Sequence, residues 1–79
     1  MSEPIIIKLS QLKKGKEAII RSFSDGEISL KLMEMGCLPG EIITVEKYAP
    51  LGDPMAVKVA GYTLSLRKKE AEVMMVEEK

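Results

Sequence analysis

Apolar and polar residues along this chain alternate in short runs, and the stretches between the runs are made of turn formers. Ile5, Ile6 and Ile7, followed by Leu9 and Leu12, form an apolar opening that ends in the turn-prone basic stretch Lys13-Lys14-Gly15-Lys16, so a short first strand is expected. Glu17 to Phe23 alternates, with Ala18, Ile20 and Ser22 on one face and Ile19, Arg21 and Phe23 on the other; Ala18 and Ile20 belong to the buried face. Ser24-Asp25-Gly26-Glu27 has the spacing of a capping box, which predicts a helix beginning with Ser24 as its cap. Ile28, Leu32 and Met35 then recur at helical spacing, with Leu30 and Met33 widening the stripe. Gly36 is placed to take the left-handed conformation that stops the helix after roughly two to three turns.

Pro39 and Gly40 punctuate the link to the clearest strand, Glu41 to Ala49, where Ile43, Val45 and Lys47 lie opposite Ile42, Thr44 and Glu46. Pro50-Leu51-Gly52-Asp53-Pro54 cannot continue that strand, because prolines lack the ladder's amide donor and Gly52-Asp53 is turn chemistry; a projecting loop is expected. Met55 to Val59 and Tyr62 to Leu66 are alternating runs joined by Ala60-Gly61, the spacing of a tight hairpin. Arg67 to Ala71 reads as a charged connector with one helical turn, Glu72 to Val76 as the last strand, and Glu77 to Lys79 as a fraying end. The sum is a mainly β protein: a small SH3-like barrel of about five strands, with one short α-helix inserted after the first barrel strand. Closing the sheet removes edges that so small a chain has little else to cover.

With 79 residues the chain is expected to form a single domain over residues 1–79, its core spanning about 5–76. It is 46% hydrophobic, which is enough to fold, and its 12 basic and 12 acidic residues cancel, which argues against a phosphate-binding surface for nucleic acid. No apolar run approaches the roughly 20 residues of a spanning helix, and residues 1–9 lack the basic start of a secretory signal, so a cytoplasmic location is expected. Cys37 has no second cysteine to pair with.

The composition contains no histidine, which removes the commonest general base and the commonest neutral metal ligand, and there is no Gly-rich phosphate loop. No catalytic residue, cofactor site or metal site is assigned: Cys37 and the methionines Met33, Met35, Met55, Met74 and Met75 read as core filler. The two basic clusters, Lys13-Lys14-Lys16 and Arg67-Lys68-Lys69, are read first as solvated loop charge, and second as contacts for an acidic partner or a phosphate.

From residue 30 to 66 the order and spacing of several pieces form one block: Leu30-Lys31-Leu32-Met33-Glu34-Met35-Gly36, Pro39-Gly40, Ala49-Pro50-Leu51-Gly52-Asp53-Pro54 and Gly61-Tyr62-Thr63-Leu64-Ser65-Leu66. The block resembles the FeoA family, and Leu9 to Gly15 and Glu70-Ala71 extend the resemblance to nearly the whole chain. Two features depart from the pattern: Cys37 stands where the family usually has a larger aliphatic residue, and Phe23 to Ser29 is short and acidic. What the resemblance implies is a non-enzymatic SH3-like accessory protein of ferrous-iron transport. Its implied partner is a FeoB-like membrane transporter with a cytoplasmic G-protein domain, so that it meets the membrane only through that partner.

On this reading the partner surface comprises Met33 and Gly36 on the helix, Pro50, Leu51, Gly52, Asp53 and Pro54 in the loop, and Arg67. Leu51 is the sharpest candidate, because an apolar residue between turn formers does not easily reach the core; folding back over one barrel end is the alternative. The glycines also serve backbone geometry, Asp53 can fix its own turn, and Arg67 is a surface charge before it is a phosphate contact. The rival readings are a nucleic-acid-associated SH3-like barrel or a metal-regulator-type domain, and a direct iron carrier.

Overall fold

The computed structural model describes residues 3–79, and its elements follow the turn chemistry of the chain. Strand β1 (Ile6–Lys8) runs into a 3₁₀ turn (Leu9–Gln11), followed by β2 (Glu17–Phe23), helix α1 (Gly26–Glu34), β3 (Ile42–Tyr48), β4 (Met55–Val59), β5 (Tyr62–Leu66), the one-turn helix α2 (Lys68–Ala71) and β6 (Met74–Glu78). The strands form one antiparallel sheet of six in the order β1-β6-β2-β3-β4-β5, one for each of the six runs read as strands, where a barrel of about five was expected. Curled on itself, the sheet encloses one apolar cluster that includes Leu9, Leu12, Ile20, Leu32, Ile43, Val45, Val57, Leu66, Met74 and Val76.

Two β-bulges shape the curl and correct the predicted faces. In β2 the register against β6 shifts between Ile20 and Ser22, so Phe23 packs on the core and Ser22 is exposed, the reverse of simple alternation. In β3 the shift against β4 lies between Val45 and Lys47, which turns Lys47 out and Tyr48 in. An extra residue resets the two-residue period and increases the local twist, and each bulge places an aromatic ring where a polar residue is expected.

Helix α1 begins one residue later than predicted. The cap is Asp25, whose carboxylate accepts from the Ile28 N–H at 3.0 Å, while Ser24 is drawn to the Val73 carbonyl by both its N–H (2.9 Å) and its hydroxyl (3.4 Å). Its stop is as predicted: Gly36 has φ +105°, its N–H donates to Met33 O (3.0 Å) and the Cys37 N–H donates to Leu32 O (2.9 Å). This is the Schellman arrangement, and it sets Cys37 and Leu32, both fully buried, in the same core, so Cys37 serves as an apolar residue there. The buried stripe is narrower than predicted, since Leu30 is exposed and Met33 only half-buried.

At the other end of the chain, α2 delays the last strand to Met74, and the predicted fraying does not occur. Because β6 lies between β1 and β2, its charged end is held on both sides: Glu78 N–H donates to Ile5 O (3.4 Å), Lys79 N–H to Glu17 O (3.1 Å), and Arg21 Nε pairs with Glu77 Oε1 at 2.8 Å.

The β4–β5 hairpin turns on Ala60 and Gly61, with φ of +52° and +83°, in the manner of a type I′ turn. Alanine resists the left-handed region by about 1 kcal/mol, whereas asparagine tolerates it. Ala60→Asn is therefore expected to stabilise the fold by roughly 0.5–1 kcal/mol, raising the thermal midpoint by a few degrees. A midpoint that stays level or falls in a circular-dichroism melt would contradict the turn assignment.

Candidate functional site

One end of the barrel gathers most of the residues singled out in the sequence. The loop after β3 is closed by two main-chain bonds, Gly52 N–H to Ala49 O (2.7 Å) and Ala49 N–H to Pro54 O (3.0 Å), with Gly52 at φ +85° and a cis Asp53–Pro54 peptide. Leu51 sits at its tip with 96% of its surface exposed, so it does not fold back over the core. Asp53 does more than fix its turn, because its carboxylate accepts from the Lys68 N–H at 3.0 Å and ties the loop to the first residue of α2.

Arg67, the cap residue of α2, is exposed, and its N–H donates to Glu70 Oε1 at 2.8 Å. The other oxygen of Glu70 meets Lys31 Nζ from α1 at 2.8 Å, so loop, α2 and α1 form one connected chain of polar contacts. Glu70 is only 5% exposed. The Lys31 hydrogen bond, helped by the Arg67 N–H and both positive charges, holds its carboxyl below the usual range against the opposing effect of burial.

Tyr48, turned inward by the bulge, donates its hydroxyl to the carbonyls of Leu12 and Ser10 and so fastens the 3₁₀ turn against β3. Burial raises its pKa above the ordinary phenol value. Between these parts lies a groove of about 200 Å³ lined by Ser10, Tyr48, Leu51, Gly52, Met55 and Lys68. Pro50 and Pro54 line an adjoining apolar groove of about 300 Å³ on the outer face of the sheet, together with Tyr48, Ala56 and Ser65.

The structure thus brings Pro50, Leu51, Gly52, Asp53 and Pro54 to the same end as Arg67, while Met33 and Gly36 line neither groove. Sequence reasoning missed Tyr48 and Glu70, and read Lys68 only as one charge of the Arg67-Lys68-Lys69 cluster. Only Glu70 carries a local signal, its three-residue spacing from Arg67 at the start of a helical turn.

Among the described residues no group of three or more Cys, Asp and Glu side chains is placed to hold an ion. The Cys37 thiol is pushed up to about 11, first by burial and then by the charge of Glu70, so it stays protonated near neutral pH and offers no thiolate. Nor is any helix among these residues long and apolar enough to cross a membrane.

Known proteins match this architecture. The pattern of the FeoA domain matches residues 7–78. A Porphyromonas gingivalis protein described as a Fe(2+) transport protein A/Fe(2+) transporter FeoB fusion is 38% identical over 72 residues, covering 90% of this chain but 8% of its own length. Among solved structures, iron(II) transport protein A from Clostridium thermocellum is 42% identical with a TM-score of 0.85, covering 91% of this chain and 45% of that one. Stenotrophomonas maltophilia FeoA, solved with zinc and described as a prokaryotic SH3-domain protein, is 29% identical with a TM-score of 0.78 over 89% of this chain and 88% of its own.

Proposed function

The chain belongs to the FeoA domain family, associated with ferrous-iron transport, and from that premise we propose that it docks on the cytoplasmic portion of a FeoB-type transporter and modulates it. The observation that carries the reading is Leu51, an apolar side chain held wholly in solvent on a loop that Asp53 fastens to α2. A leucine displayed on a braced mount gains free energy only when something covers it.

The fusion relative supports the same reading, since joining two chains keeps their contact at high effective concentration. The docking surface runs over Pro50, Leu51, Gly52, Asp53, Pro54 and Arg67. Met33 on α1 and Gly36 just beyond its end extend it, on the helix side that Lys31 ties to α2. Action is by binding and not by catalysis: a partner that favours one conformational state of the transporter shifts its population by the difference in affinity between states. The chain acts in the cytoplasm and reaches the membrane only through this partner.

Titration of the labelled chain into the transporter's soluble G-protein domain, without nucleotide and with GDP or a non-hydrolysable GTP analogue, tests the reading. Saturable binding with affinities that differ between nucleotide states is expected. Equal affinities would remove modulation and keep docking; no binding in any state would remove both.

A further inference from the structure

The sheet does not close by pairing as expected, and its two edges, β1 and β5, are not alike. Strand β1 has three residues, follows Pro4 and ends in Lys8, the features that blunt an edge against pairing. Strand β5, Tyr62-Thr63-Leu64-Ser65-Leu66, has five residues, no charge, no proline and an unbroken register with β4.

In a two-residue hairpin the flanking pair, here Val59 and Tyr62, exchanges ladder bonds, and bonded and non-bonded pairs then alternate. Leu64 and Leu66 therefore share their main-chain groups with Val57 and Met55, while those of Thr63 and Ser65 point away from β4. Among the described residues no other strand pairs with β5, and neither Thr63 nor Ser65 has another main-chain partner.

Two further features say what would lie there. The outer-face apolar groove lined by Tyr48, Pro50, Pro54 and Ala56 has Ser65 in its wall, so a side chain of an added strand could enter it. From Met55 to Lys69 the only charged residues are Lys58, Arg67, Lys68 and Lys69, and none of them is in an ion pair among the described residues. The carboxylates nearby are engaged: Glu46 by the Thr63 hydroxyl (3.1 Å), Asp53 by Lys68 N–H and Glu70 by Lys31.

We propose that the transporter's cytoplasmic portion adds an extended, carboxylate-bearing segment along β5, bonded to the main chain of Thr63 and Ser65, with an apolar residue seated in the adjoining groove. This deepens the docking function proposed above and rests on it. Main-chain pairing supplies affinity in such strand addition, while the pocket and the flanking cations select the sequence.

Amide hydrogen exchange on the ¹⁵N-labelled full chain, with and without the unlabelled G-protein domain, tests it together with the binding isotherm. The Thr63 and Ser65 amides should exchange rapidly in the free chain and slow by about tenfold or more in the complex, while Leu64, already bonded to β4, changes little. Ser65→Pro deletes an outward N–H without touching the ladder and should weaken binding about fivefold at near-constant thermal midpoint. Lys58→Glu should weaken it as well, and more at low salt. Saturable binding with Thr63 and Ser65 still rapid would overturn strand addition and leave docking intact. Slowing without partner that grows with chain concentration would give the edge to a second copy and also overturn it. No binding at all removes the docking function and this inference with it.

Discussion

Leu51→Glu is expected to weaken binding to the transporter's G-protein domain by at least tenfold while leaving the thermal midpoint within a degree or two of the parent. The fold has nothing to lose at this position, because Leu51 is 96% exposed, and surface substitutions usually stay within about 0.5 kcal/mol. The bound state has much to lose. Covering a leucine is worth roughly 1.5–3 kcal/mol, and a carboxylate in its place must be desolvated against an apolar surface. A tenfold change needs only about 1.4 kcal/mol, so loss of the leucine's burial alone is enough to supply it. Leu51→Ala, which removes the apolar area without adding charge, should fall between the two. Parent-like affinity for the glutamate variant would mean that the loop tip does not touch the partner, and docking would then have to rest on another part of the surface.

The features that could be read from the sequence are those settled by residues close together in the chain. Gly36 stops α1 because the two following bonds close within five residues, and Ala60-Gly61 turns the hairpin for an equally local reason. Leu51 falls in the same class: proline on either side and Gly52-Asp53 after it leave no strand or helix to carry it inward. What was not legible depends on distant partners. Ser24 loses the helix cap to Asp25 because the Val73 carbonyl, far along the chain, takes its hydroxyl and N–H. The last strand runs to Glu78 because β1 and β2 flank it, and no local pattern records that insertion. The bulges in β2 and β3 are likewise answers to β6 and β4, which is why Phe23 and Tyr48 change sides. In the site, the loop could be seen in the sequence but its fastening could not. Asp53 to Lys68 and Lys31 to Glu70 are single contacts between separate elements, with no periodicity to announce them.

That fastening makes Glu70 the position where stability and docking meet. Glu70→Ala is expected to cost about 2 kcal/mol: roughly 1 for the lost acceptor of the Arg67 N–H at the start of α2, and the rest for lost packing and for Lys31 left without its partner. The ion pair itself adds modestly, because the Lys31 side chain is 65% exposed and water screens it. Glu70→Gln keeps an acceptor for Arg67 and should cost about half as much. The dependence on pH separates charge from packing. The carboxyl of Glu70 is held below its ordinary value, mainly by the Lys31 hydrogen bond, so its contribution is fully present above the unfolded pKa of about 4.3 and is lost as pH falls through the lower folded value. The stability gap between parent and Glu70→Gln, from urea unfolding, should therefore be constant from pH 7 to about 5 and shrink below about 4. A gap that widens in acid would give the sign of a raised pKa and refute the assignment. Because α2 presents the Lys68 N–H to Asp53, loosening it should also free the loop. Glu70→Ala is then expected to lower affinity for the transporter even at temperatures where the chain remains folded, whereas Leu51→Glu lowers affinity alone. Unchanged affinity in folded Glu70→Ala would show that the loop holds its shape without α2.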